Sequence, residues 1–141
     1  LQTVLTNQLP IKIFLINNQG YHSIRQTQTN LFGNHTKIGI GPESGDLSFP
    51  SYEKLAVAFG YPYYAAHSNA EMKMAVENTL KEEGAVFCEI FVSPEQFFEP
   101  KSATKRLPDG SLFSPPLEDL APFLPEEELQ GNMFIPCITK K

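Results

Sequence analysis

The sequence predicts an α/β fold: a doubly wound, mostly parallel sheet with helices on both faces, followed by an extended, proline-rich tail. Three observations predict it. Two strongly apolar runs, residues 11–16 (IKIFLI) and 85–92 (AVFCEIFV), have the composition of parallel strands covered on both sides. Segments with helical spacing stand between them, and strands alternating with helices imply a parallel sheet. Eight of the twelve prolines lie at or after Pro94, where the alternation stops. The expected organisation is therefore an α/β domain over residues 1–93. A Pro-rich extension over 94–141 would pack on it or on a neighbouring chain.

Each element has its own reason. Leu1, Val4, Leu5 and Leu9 recur at helical spacing before Pro10 stops the helix. Residues 11–16 then read as a strand, interrupted only by Lys12 and suited to a central position. It breaks abruptly into Asn17-Asn18-Gln19-Gly20. Residues 21–32 read as a polar helix, and 33–48, with four glycines and no periodicity, as a loop. A helix over 50–59 follows, with Tyr52, Leu55, Ala56 and Phe59 as its stripe and Gly60 as its stop. Residues 61–66 read as a short strand. Ser68-Asn69-Ala70-Glu71 has the form of a capping box. It opens a helix that faces Met72, Ala75, Val76, Thr79 and Leu80 inward and ends by Gly84. The second apolar strand comes next. Beyond it, Pro108-Asp109-Gly110 is a turn signal, and residues 117–129 could form a short helix. Phe97, Phe98, Leu112, Phe113, Leu117, Leu120, Phe123 and Leu124 make the tail too apolar for a free linker.

Composition bounds the function. The 141 residues are 41% hydrophobic, enough for a real core, and carry a net charge of -5. An acidic balance argues against a general nucleic-acid binder, and no apolar run approaches a membrane span. The start lacks a secretory signal's basic region and apolar block. Two cysteines, Cys88 and Cys137, form no disulfide framework and suit a reducing compartment, so a cytoplasmic location is expected. Leu1 falls inside a helical pattern without an N-cap, which suggests a piece cut from a larger protein. Residues 1–50 hold three basic and two acidic residues, against three and eight in residues 51–100. The first third is thus the less repulsive place for an anion. Polar residues directly after a buried strand also sit where open α/β sheets bind ligands.

The stretch IKIFLINNQGYHSIRQTQ resembles the thiamine-diphosphate-binding domain of the acetolactate synthase and pyruvate decarboxylase superfamily. Those enzymes carry Gly-Asp-Gly after one strand, then a helix, then a strand ending in Asn-Asn. Residues 11–18 resemble the second half of that motif, residues 1–9 the end of the intervening helix, and KLAVAFG with the strands around Tyr63 and Phe87 the domain's later half. The resemblance covers roughly residues 1–95 in element order. It implies a partial thiamine-diphosphate-binding fold, with thiamine diphosphate and Mg²⁺ as cofactors. The metal ligands carried over are the Asn18 side chain and the Gly20 carbonyl, hard oxygens of the kind Mg²⁺ requires. Amides of the following helix's first turn, around Tyr21, His22, Ser23 and Ile24, would face the diphosphate. Gly-Asp-Gly and the glutamate that activates the cofactor are not in this chain, so the fragment alone is expected to be inactive.

What the parent does is implied by the same resemblance. It is expected to decarboxylate a 2-oxo acid and pass the acyl group to a carbonyl acceptor, as a homodimer or homotetramer. FAD elsewhere in the parent is left open. Anabolic acetolactate synthases have Gln-Trp-Gln where this chain has Gln26-Thr27-Gln28, so the resemblance implies that Ile24 and Thr27 line a wider, wetter acceptor pocket. A simple decarboxylase or lyase on the same scaffold, or a non-catalytic binding module, stays open beside it. Single residues carry two readings as well. Arg25 would meet an anion or form a helix-surface ion pair. His22 would donate to the diphosphate or be a partly exposed loop residue. His67 and Cys88 read as structural, the latter as a buried, inert thiol. His22, His35 and His67 lack metal-ligand spacing.

Overall fold

A computed structural model describes residues 1–33 and 38–135; His35 and Cys137 lie outside them. Backbone contacts divide the chain into two compact units, Leu1–Gln96 and Phe97–Lys141. In the first unit the order is α1 (Gln2–Thr6), β1 (Lys12–Asn17), α2 (His22–Phe32), α3 (Tyr52–Phe59), β2 (Tyr63–Ala66), α4 (Asn69–Lys81) and β3 (Val86–Phe91). A 3-10 turn, Pro42–Ser44, lies between α2 and α3.

The three strands form one parallel sheet in the order β1-β3-β2. Ile13 and Tyr63 both lie beside Phe87, and Ile16 and Ala66 beside Ile90. Because side chains alternate along a strand, this register sorts the residues onto two faces. Phe87 and Glu89 point to one side and Val86, Cys88 and Ile90 to the other. All five are buried. On the first side Phe87 packs with Ala56 and Tyr61, and with Val4, Leu5, Ile13, Tyr52 and Phe59, so α1 and α3 cover that face. On the second, Cys88 and Ile90 pack with Ala66, Ala75 and Met72, so α4 covers the other. The expected α/β architecture, with helices on both faces of a parallel sheet, is the one formed.

Several expectations are corrected. Among the described strands the middle one is β3. Among the described residues β1 pairs only with β3, and on its α4-side face Phe14 and Ile16 are 38% and 56% exposed. Apolar composition alone did not set the strand order. Helix α1 ends at Thr6, short of Leu9, with Gln8 at positive φ. The Ser68 capping box does not close. Ser68 makes no side-chain cap, and Glu71 instead accepts from the His67 amide at 2.8 Å. Leu80 points outward, 60% exposed, because the side of α4 turned to the sheet carries Met72, Ala75 and Thr79. Helix α3 starts at Tyr52, so Pro50 stands before its first turn and not in it, while the Gly60 stop is kept. Ser51 caps α3 by accepting from the Lys54 amide, and Gly60 ends it in the left-handed conformation. Lys12, the one charge in IKIFLI, donates to the carbonyls of Glu82 and Gly84, just beyond the carboxyl end of α4 where a cation is favoured.

The second unit contains an antiparallel pair, β4 (Lys105–Arg106) with β5 (Leu112–Phe113), and α5 (Glu126–Asn132). The Asp109 carboxylate accepts from Ser111 in the turn between the strands. Lys105 binds Asp119 at 2.6 Å and lies 4.1 Å over the Phe123 ring. The helix begins later than the 117–129 window because Pro122 and Pro125 interrupt it.

Candidate functional site

All three parallel strands end on one side, at Asn17, Ala66 and Phe91, the side on which open α/β sheets hold ligands. The loop after β1 is built from two successive side-chain turns. Asn17 Oδ1 accepts from the Gln19 amide at 2.9 Å, and Asn18 Oδ1 from the Gly20 amide at 3.3 Å. Such Asx turns substitute for backbone pairing where a strand stops. Gln19 has a φ of 56°, which is uncommon for a residue with a side chain.

Two glycines allow this loop to lie against a second one. Tyr21 N donates to the Ile40 carbonyl at 2.7 Å. A Cβ at Gly20 would stand 1.9 Å from that carbonyl oxygen, and one at Gly41 would stand 2.4 Å from the Gln19 oxygen. Only glycine fits where two backbones cross so closely. The crossing segment is itself anchored. Ile40 is fully buried, Gln28 Nε2 donates to the Ile38 carbonyl while its Oε1 accepts from the Ile38 amide, and Asp46 accepts from the Gly39 amide at 2.9 Å. The Ser44 hydroxyl and the Gly39 amide hold the Asp46 carboxyl below its ordinary pKa.

Two buried polar side chains flank the loop. Arg25 is 7% exposed. Its Nη1 and Nη2 donate to the carbonyls of Asn18 and Gln19 at 3.3 and 3.2 Å, and its Nε pairs with Glu43 at 3.1 Å. Arg25 is therefore neither an exposed ion pair nor an open anion receptor. Glu89, 3% exposed, lies on the α3 side of the sheet. It accepts from Asn17 Nδ2 at 2.5 Å and from the Tyr63 hydroxyl at 2.6 Å. Burial first, then the hydrogen bond to Glu89, pushes the Tyr63 phenol above its ordinary pKa. Asn17, Tyr63 and Glu89 line a cleft of about 360 Å³ with Ser51, Tyr52, Glu53 and His67. The His67 ring stacks on Phe91 at 4.3 Å.

The other expected site residues surround the start of α2. Tyr21 is exposed, its ring edge-on to Phe49. His22 is buried in the first turn, with Nδ1 3.3 Å from Arg25 Nη1, and is no loop residue. Ser23, Ile24 and Thr27 are exposed. The Thr27 hydroxyl donates to the Ser23 carbonyl at 2.9 Å, so it is engaged by its own helix. Sequence reasoning missed Glu89 and undervalued Arg25. The available signal for Glu89 was a single charge inside an otherwise apolar strand; such a charge requires partners.

The loop presents an Asn18 amide oxygen held only by a long turn bond and, two residues on, the Gly20 carbonyl. Two neutral oxygens of this kind suit a hard cation beside an anionic group. Among the described residues no group of three His, Cys, Asp or Glu could hold a metal, so an ion here would take its remaining ligands from elsewhere. No helix among them is long and apolar enough to cross a membrane.

The family model described as thiamine pyrophosphate enzyme, C-terminal TPP binding domain, matches residues 1–90. The acetolactate synthase large subunit of Porphyra purpurea is 28% identical over 99 residues, 68% of this chain and 16% of that protein. Acetolactate synthase 1, chloroplastic, of Zea mays is 24% identical over 116 residues, 80% and 17% of the two chains. The chain thus spans about one sixth of the length of the curated relatives it matches.

Proposed function

The chain belongs to the thiamine pyrophosphate enzyme C-terminal TPP-binding domain family, and from that premise we propose that its Asn18–Gly20 loop anchors the diphosphate of thiamine diphosphate through Mg²⁺. The observation that carries this reading is the loop itself. It lies at the carboxyl end of a parallel strand, with Asn18 Oδ1 engaged only at 3.3 Å and Gly20 pressed on Ile40. Asn18 Oδ1 and the Gly20 carbonyl would serve as metal ligands. Amides of the first turn of α2, at His22, Ser23 and Ile24, would face the diphosphate, where the helix dipole favours negative charge.

The parent protein would be a carboligase or decarboxylase acting on a 2-oxo acid, similar to acetolactate synthase, cytoplasmic and homo-oligomeric. Bound thiamine diphosphate supplies the electron sink for such chemistry. This chain's residues bind and orient it, and none of them is assigned a proton-transfer step. Ile24 and Thr27 are exposed side by side on α2, which supports their lining a substrate pocket. Threonine is far smaller than the tryptophan of anabolic acetolactate synthases, so the acceptor would be bulkier or more polar than pyruvate or 2-oxobutyrate.

The test is cofactor titration of the full-length protein. Asn18→Ala should weaken Mg²⁺-dependent thiamine diphosphate binding by about tenfold or more, since even outer partners of metal sites cost about 10–100-fold. Asn18→Asp keeps an oxygen but sets a charge beside the diphosphate, and should also weaken it. Wild-type titrations from both variants would refute the assignment. Competition between pyruvate and polar acceptors, in wild type and Thr27→Trp, tests the pocket. Turnover on pyruvate alone in both would refute that part.

A further inference from the structure

We infer that Arg25 is the positioning residue of the Asn18–Gly20 loop, holding its peptide planes so that the Asn18 side chain and the Gly20 carbonyl are presented together. This rests on the metal-anchoring reading above. The guanidinium donates to two consecutive carbonyls, Asn18 at 3.3 Å and Gln19 at 3.2 Å. Consecutive carbonyls of an extended chain point to opposite sides. The left-handed φ of 56° at Gln19 brings both to one donor. That backbone conformation is unfavourable for a residue with a Cβ, and it persists only where the surroundings hold it.

Arg25 is equipped to hold it. Its guanidinium also reaches His22 Nδ1 at 3.3 Å, the Pro94 carbonyl at 3.4 Å and Glu43 Oε2 at 3.1 Å. One side chain thereby ties the loop to the first turn of α2, to the 3-10 turn and to the chain just after β3. A Cβ at Gly20 would stand 3.0 Å from Nη2, so the guanidinium also forms part of the wall against which the loop is folded.

Shape rather than charge is the operative property. Glu43 offsets the positive charge at 3.1 Å, and Nη1 and Nη2 donate to the neutral carbonyls of Asn18, Pro94 and Gln19. A rigid planar fork can serve acceptors on several sides at once, and a lysine ammonium on a flexible stem cannot hold them in one plane. Arg25 touches none of the groups proposed to meet the cofactor's reactive end, so its influence should appear in metal and cofactor binding.

The experiment is a Mg²⁺ titration of the full-length protein at fixed thiamine diphosphate, followed by calorimetry, with kcat measured separately at saturating Mg²⁺ and cofactor. Arg25→Lys should raise the half-saturating Mg²⁺ by about tenfold or more, as outer partners of metal ligands do. Arg25→Met should raise it further. At saturation kcat should return to within about twofold of wild type, as expected when only binding is lost. If Arg25→Met fails to fold, Arg25→Lys decides alone. An unchanged Mg²⁺ requirement in Arg25→Lys overturns the inference. So does a loss of melting temperature and kcat with no shift in that requirement, because that describes a general structural role. Asn18→Ala, titrated in parallel, separates the two claims. If it too leaves the requirement unchanged, the anchoring site is wrong. If it shifts the requirement and Arg25→Lys does not, only the role of Arg25 is wrong.

Discussion

Strand β3 faces two different interiors. Toward α4 it presents Cys88 and Ile90, packed on Ala66 and Ala75 without a charged group in the cluster. Toward α3 it presents Phe87 and then Glu89, whose carboxylate is as buried as its neighbours. The first face is stabilised by area and close packing. The second is apolar at its amino end and becomes a hydrogen-bonded polar trio, Asn17, Tyr63 and Glu89, where the strands end. A buried carboxylate is costly unless it is paired, and the α4 face shows that the same strand can be packed without one. The polar trio thus lies where stability alone does not require it, beside the loop proposed to hold the cofactor. Local departures from core chemistry concentrate at functional sites in this way.

Breaking the polar side should have the largest effect. Glu89→Ala leaves the Asn17 amide and the Tyr63 hydroxyl unpaired as well as a cavity, a loss of about 4 kcal/mol by denaturant titration. The triple change Asn17→Leu, Tyr63→Phe, Glu89→Leu should regain most of that stability, because the one group it leaves without its partner, the Gln19 amide, is exposed and can turn to water. It should still impair cofactor binding. Recovery of both stability and binding would show that the trio has no part in the site. On the α4 side, Ile90→Ala should cost about 3 kcal/mol and leave the Mg²⁺ requirement unchanged, which sharpens the contrast between the faces.

A smaller effect is expected from Tyr63→Phe, about 2 kcal/mol for one hydrogen bond to a buried carboxylate. The phenol's pKa is raised in the folded state, so its contribution is complete below the ordinary tyrosine value of 10.0 and falls as pH rises above it. The stability gap between wild type and Tyr63→Phe should be flat at neutral pH and shrink in alkali. The smallest effect belongs to Asp46, a surface group whose pKa is lowered by Ser44 and Gly39. Its contribution is present above the ordinary value of 3.8 and is lost as pH falls through the lowered folded value. Thermal melts of Asp46→Asn and wild type should therefore converge in acid, and parallel curves down to the lowest pH would contradict the loop contacts described.

What the sequence revealed follows the range of the forces involved. Helices α3 and α4 and strand β3 were legible because periodicity and apolar composition are local properties. The strand order β1-β3-β2 was not, since it depends on which strands lie side by side. Asn18 and Gly20 were found through a motif, whereas Arg25 and Glu89 acquire their meaning from partners up to dozens of residues away, such as Pro94 for Arg25 and Asn17 for Glu89. The Ser68 box failed for a related reason. Its pattern was present, but Glu71 had a second amide, that of His67, within reach.

The crossing of Gly20 and Gly41 also bears on how this segment can change over generations. Each missing Cβ would collide with main-chain atoms of the opposing segment, not with its side chain. A substitution at one position therefore has no compensating substitution at the other, and the usual route of paired drift is closed. Between the two glycines, α2 carries Arg25 and Gln28, which hold the loop and the crossing segment, so those positions are constrained together with the meeting point. Inherited variation should accordingly stop at both glycines.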